Sequence, residues 1–141
     1  MDRKSNYSEN LNKVLFLAEK LAEEYGSSYI GSEHLVFAML NLPECTAYKI
    51  LCRQNVSVEK YRDFFIRTID RHCNVEGFTP MTKHIIQVVE EFGEYVSKTN
   101  HLLLAIICSK ECLAMRILRA LGTDMHKLFL DVGSSNSEEE Q

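Results

Sequence analysis

The chain has 141 residues, a length that suits one domain. At that length folding buries roughly 68–70% of the unfolded surface, enough for a core without disulfide staples. Apolar residues make up 45% and charged residues 26%, the balance of a water-soluble globular protein, and no apolar run reaches the ~18–20 residues of a membrane span. The opening, MDRKSNYSEN, lacks the apolar stretch of a secretory signal, so a cytosolic protein is expected. Three of the four net negative charges are Glu138, Glu139 and Glu140, which leaves −1 for residues 1–137. No basic face stands out, which argues against a nucleic-acid partner. The five cysteines, Cys45, Cys52, Cys73, Cys108 and Cys112, are an odd number without a leader, which argues against a disulfide framework.

In chain order, Ser8 is a candidate N-cap. Leu11, Val14, Leu15, Ala18, Leu21, Ala22 and Tyr25 then follow helical spacing and form one apolar face. The spacing predicts helices near 8–25, 32–42, 45–54 and 57–72, with Gly26 ending the first and Ser32 and Ser57 as further N-caps. CNVEGF (73–78) reads as a link. Four more helices are expected near 79–96, 99–108, 111–121 and 123–132. Thr79, Thr99 and Thr123 are their candidate N-caps, Pro80 suits a first helical turn, and Gly122 suits a C-terminus. Ile85, Val88, Val89, Phe92, Tyr95 and Val96 form one inward face, and Met125, Leu128, Phe129 and Val132 another. No strand is expected. GSSNSEEEQ (133–141) reads as a disordered acidic tail or linker.

The chain is written twice. Residues 34–61 align without a gap on 101–128, with nine of 28 positions identical, a period of 67 residues. The openings Tyr7-Ser8 and Phe78-Thr79 correspond. The second copy is four residues shorter between its opening and its histidine, about one helical turn or ~6 Å. Its first helix or the following loop should be shorter. A histidine recurring at a helix start, His34 and His101, reads as a satisfied structural group rather than a catalyst, because no nucleophile motif stands beside it. Cys45 and Cys112 correspond, which suggests a small buried contact. Cys108 and Cys112 straddle an expected helix break, which argues against zinc. No G-x-x-x-x-G-K-[ST] occurs, so no ATP-binding P-loop is present in this sequence.

These elements resemble a known family. YSENLNKVLFLAEKLA, YIGSEHLVFAML, FTPMTKHIIQVVEE and the A-x-x-I-L steps at 47–51 and 114–118 look like the Clp N-terminal (double Clp repeat) domain, in particular that of ClpC-type AAA+ unfoldases. The resemblance covers about residues 5–132. It implies an all-α fold of two tandem four-helix repeats (7–72 and 78–132) packed with pseudo-two-fold symmetry.

The resemblance further implies a non-enzymatic recognition domain that binds adaptor proteins and tagged protein substrates, possesses no cofactor, and is monomeric when isolated. It implies an AAA+ ATPase module elsewhere if the chain is a fragment. In ClpC relatives the tag can be phosphoarginine. By position, Glu33 is the guanidinium acceptor, with Ser8, Ser32 and Asn6 completing the repeat-one pocket. Asn6 stands where relatives have a basic residue, for which Arg3 or Lys4 are substitutes. In repeat two KTNH (98–101) replaces GSEH, so Asn100 with Thr79 should form a weak or lost pocket, and about one site per chain is expected. Tyr7, Phe78 and Lys83 fall on the region that serves relatives as an adaptor surface.

Bland readings stand beside these. Glu33 also complements the positive end of its helix. Tyr7 and Phe78 also suit staple packing. Three rival functions are a ClpB-like reader of hydrophobic segments, a free-standing regulator, and an enzyme using Glu33, His34 and a cysteine around one cavity.

Overall fold

Ser8 starts the first helix by accepting the Leu11 N–H on its Oγ at 3.0 Å, which satisfies one of the orphan donors of a helix N-terminus. The structure, a computed structural model, describes residues 7–27, 29–68, 77–92, 97–109 and 112–134. The helices of the first repeat are α1 (Glu9–Glu24), α2 (Ser32–Leu40), α3 (Thr46–Arg53) and α4 (Val58–Thr68). Those of the second are α5 (Pro80–Phe92), α6 (Thr99–Cys108), α7 (Leu113–Ala120) and α8 (Met125–Ser134). Among the described residues the only extended pairing is two isolated parallel bridges. The fold is all-α, as expected.

The expected punctuation holds at several points. Thr79 Oγ1 accepts the Thr82 N–H at 3.0 Å, and Pro80 opens α5. Ser57 Oγ accepts the Lys60 N–H at 3.4 Å. Gly26 and Gly122 adopt φ of 69° and 83°, the left-handed region that ends helices and that a Cβ would strain. At α8 the cap is Asp124, whose Oδ1 accepts the Lys127 N–H at 3.1 Å, and not Thr123. A carboxylate one residue further on wins because it also complements the helix dipole. α8 runs to Ser134, two residues into the 133–141 segment. Asn6, Arg3, Lys4, Cys73, Tyr95, Val96, the Phe92 side chain, and segments 69–72 and 135–141 lie outside the described residues.

The two repeats interlock. α2 and α6 form the interior: Leu35, Val36, Ala38 and Met39 have no measurable exposure, and neither do Leu103 and Ile106. Each such Leu, Met or Ile stabilises the fold by about 1.5–3 kcal/mol relative to exposure. The third helix of each repeat packs on the second and fourth helices of the other, α7 on α2 and α4, α3 on α6 and α8. The bridges repeat the pattern: Tyr7 pairs with Ser97, and Ile30 with Phe78. Their bonds, Ser8 N–H to Ser97 O at 2.8 Å and Thr79 N–H to Ile30 O at 3.1 Å, are one contact written in both copies.

Ser32 and Thr99 correct the capping expectation. Each is the first residue of its helix, with Gly31 and Lys98 as the N-caps. Their hydroxyls serve the other repeat instead. Ser32 Oγ accepts the Ala114 N–H of α7 at 3.1 Å, and Thr99 Oγ1 accepts the Ala47 N–H of α3 at 3.2 Å. Along α8, Leu128 and Val132 are buried, but Phe129 is 44% exposed, contrary to its expected inward position. Arg53 and Gln54, at the end of α3, both donate to the Asp131 carboxylate of α8, and the guanidinium holds that carboxyl below its ordinary value.

Candidate functional site

Three helices of the interlocked pair begin around one cleft of about 260 Å³. α2 contributes Gly31, Ser32 and Glu33, α5 contributes Thr79, Met81 and Thr82, and α7 contributes Cys112, Leu113 and Arg116. Converging N-termini supply positive dipole ends and backbone N–H groups, a setting that favours an anion. Arg116 is exposed and adds a full positive charge. Thr79 Oγ1 and Thr82 Oγ1 lie 2.7 Å apart, so one hydroxyl donates to the other; with the buried Thr82 as donor, the Thr79 proton is left for a guest.

Glu33 supplies the opposite sign. Its side chain keeps 14% of its exposure. Burial pushes its carboxyl pKa up, and a bond to its own backbone N–H partly offsets the rise. Its Oε2 lies 3.7 Å from His34 Nδ1, but that nitrogen accepts the Gly31 N–H at 3.0 Å and carries no proton. Burial also pushes His34 down to about 4, so the ring is neutral at pH 7. Among the described residues no cation neutralises Glu33. The cleft is bipolar, with a carboxylate on one wall and Arg116 with the helix N-termini on the others. It can hold a group that carries both signs.

The expected site residues are distributed differently from the sequence reading. Glu33 and Ser32 meet in the cleft, but their hydroxyl companion is Thr79 of the second repeat. Ser8 is 2% exposed, caps its own helix and joins Ser97 on the far side of the exchange. The pocket is thus shared between repeats, because the opening of each copy pairs with the α2 or α6 start of the other. Asn100, the counterpart of Glu33, is 5% exposed, and among the described residues its Oδ1 has no hydrogen-bond partner. Tyr7, expected on an adaptor surface, is buried at 7% exposure. Its hydroxyl is pushed up to about 12, by burial first and then by Glu90. Phe78 is half-buried and Lys83 is exposed.

Sequence reasoning missed Gly31, Met81, Thr82 and Arg116. One signal for Arg116 was present: both A-x-x-I-L steps carry a basic residue at the same place, Lys49 and Arg116.

Among the described residues the geometry of the cleft does not assemble a Cys/His pair. Cys112 lines the cleft, but its Sγ donates to Ile106 O at 3.6 Å, as Cys45 Sγ does to Met39 O at 3.8 Å. His34 Nε2 bonds Ser27 Oγ at 2.9 Å, so both of its ring nitrogens are engaged elsewhere. His101 repeats the arrangement, with Nδ1 accepting the Lys98 N–H at 2.9 Å. Among the described residues no cluster of three metal-ligating side chains occurs, and no helix is long and apolar enough to cross a membrane.

Comparison with known proteins places this architecture. The sequence is 29% identical over 128 residues to the negative regulator of genetic competence ClpC/MecB of Bacillus subtilis, covering 86% of this chain and 16% of the relative. The fold is similar to the N-terminal domain of the Clp protease-associated chaperone ClpD of Arabidopsis thaliana, with a TM-score of 0.75, 16% identity, and coverage of 92% of this chain and 96% of that one. It is also similar to the ClpV N-domain solved in complex with a VipB peptide, with a TM-score of 0.68, 16% identity, and coverage of 93% and 89%. The chain spans about 14–16% of the length of the curated relatives it matches. The sequence model of the Clp repeat (R) N-terminal domain matches residues 6–100, more than half of the chain. The interlocked four-helix copies and this match together show that the chain belongs to the Clp repeat N-terminal domain family.

Proposed function

We propose that the chain is a non-catalytic recognition domain that presents adaptor proteins and tagged substrates to a Clp-type AAA+ unfoldase, and that the inter-repeat cleft receives a phosphoarginine side chain. The observation that carries this reading is the uncompensated Glu33 carboxylate sharing one cleft with Arg116 and three helix N-termini. Phosphoarginine has the complementary pair of groups. Its guanidinium part meets Glu33. Its phosphate meets Arg116 and the Thr79–Thr82 hydroxyl pair, at the positive dipole ends of the helices that begin there. The basic charge on the wall of this cleft comes from Arg116. The ClpV N-domain with its bound peptide supports the broader reading, that this fold offers surfaces to protein segments.

The test is calorimetric titration of a phosphoarginine peptide and its unmodified twin into wild type and Glu33→Gln. The expected result is one site per chain for the modified peptide, weakened about tenfold to a hundredfold by Glu33→Gln, the scale of a lost charge-assisted bond. Two equal sites, or binding indifferent to Glu33→Gln, contradicts the cleft. Equal binding of the unmodified peptide favours a reader of apolar segments instead.

A further inference from the structure

We propose that Gly31 is a positioning residue of the cleft: a side chain at this cap and the folded-back Glu33 carboxylate exclude one another. The inference rests on the reading of the cleft as the recognition site and adds what holds its acid in place. Gly31 has φ −107° and ψ −179°, extended backbone that any residue adopts, so the glycine is not there for conformational freedom. What a Cβ would meet explains it. Glu33 Oε1 would lie 2.2 Å away, Cδ 2.8 Å and Oε2 2.9 Å. These are the nearest atoms, and all belong to the one flexible side chain. A methyl group would therefore leave the helix in place and evict the carboxylate.

The second repeat is an internal control. Lys98 stands at the equivalent cap with φ −124° and ψ 171°, and its histidine makes the same bond to the cap N–H. There the cap has a Cβ, and the residue two further on is the shorter Asn100. The two positions have changed together: glycine with the long acid, a side chain with the short amide. The exchange also reverses the local charge, from −1 at Gly31-Ser32-Glu33 to +1 at Lys98-Thr99-Asn100. That is why only one copy offers a cation acceptor.

The experiment has two readouts on the full chain. The first needs no ligand. Carbon NMR follows the titration of the Glu33 carboxyl in wild type and Gly31→Ala, with His34, Tyr61, Cys112 and Arg116 unchanged around it. Eviction into solvent should shift that titration down toward the ordinary glutamate value, and an unchanged titration overturns the proposal. The second is the phosphoarginine peptide. Gly31→Ala should weaken it as much as Glu33→Gln does, and the two substitutions together should weaken it no further. Additive losses mean that Gly31 acts independently of Glu33 and overturn the proposal. If Gly31→Ala does not fold, Gly31→Ala with Glu33→Asn, which pairs a Cβ at the cap with a short amide as the second repeat does, should restore folding. Its failure shows that something other than Glu33 forbids the side chain, and again overturns the proposal. If wild type ignores phosphoarginine, the recognition reading falls, and the carboxyl titration still decides the role of Gly31.

Discussion

His34 has its ring at 1% exposure, with Nδ1 on the Gly31 N–H, Nε2 on Ser27, and the Phe65 ring set edge-on at a centroid distance of 5.1 Å. A proton would have to enter at Nδ1 and break the Gly31 bond. Burial accordingly lowers the pKa from 6.5 to about 4. Between those values the unfolded chain holds a proton that the folded chain does not. The stability His34 confers is therefore complete above pH 6.5 and falls with pH, by about 1.4 kcal/mol per unit, down to pH 4. Glu33 acts in the opposite sense. Its raised carboxyl binds a proton more readily when folded, so its own contribution grows as pH falls toward 4.5. Thermal melts from pH 7 to pH 4 should show a falling Tm in wild type and a flatter profile in His34→Gln. Equal slopes would assign the acid sensitivity to another group. The structural role of this histidine was legible because it recurs 67 residues on without a nucleophile beside it. Its partner Ser27 was not, since no spacing rule links a loop hydroxyl to a buried ring.

At the scale of helices, the sequence carried the period, the apolar faces and those caps that act within their own turn. Ser8, Ser57 and Thr79 were legible for that reason. Ser32 and Thr99 were not, because capping rules are local and these hydroxyls serve helices far along the chain, Ser32 reaching Ala114 across 82 residues. Phe129 misled because the α8 apolar face is narrower than its spacing suggests. Ser32→Ala should cost about 1 kcal/mol in urea unfolding, the usual cost of a lost N-cap, and Thr99→Ala a similar amount. Hydrogen exchange separates the two ends of the contact. Ser32→Ala should speed exchange at the Ala114 amide while leaving Leu35, within α2 itself, protected. Faster exchange at Leu35 alone would mean that Ser32 stabilises its own helix after all.

Over the whole molecule, duplication was legible but exchange was not. A repeat aligned on itself shows which positions correspond, not which copy each one touches. The sequence reading therefore joined Glu33 to Ser8 within one repeat, and the fold joins it to Thr79 in the other. Since α3 and α7 each complete the opposite half, residues 1–76 alone should give a broad, weakly cooperative melt. A sharp transition in that fragment would contradict the interlock. The central claim, a bipolar cleft assembled from both copies, is tested most directly by NMR shift mapping with phosphoarginine. Amide perturbations should fall on Gly31–Glu33, Met81–Thr82 and Leu113–Arg116 together, bypassing Tyr7–Ser8 and Lys98–Asn100. Perturbations centred on Ser8 or Asn100, or confined to a single repeat, would contradict it.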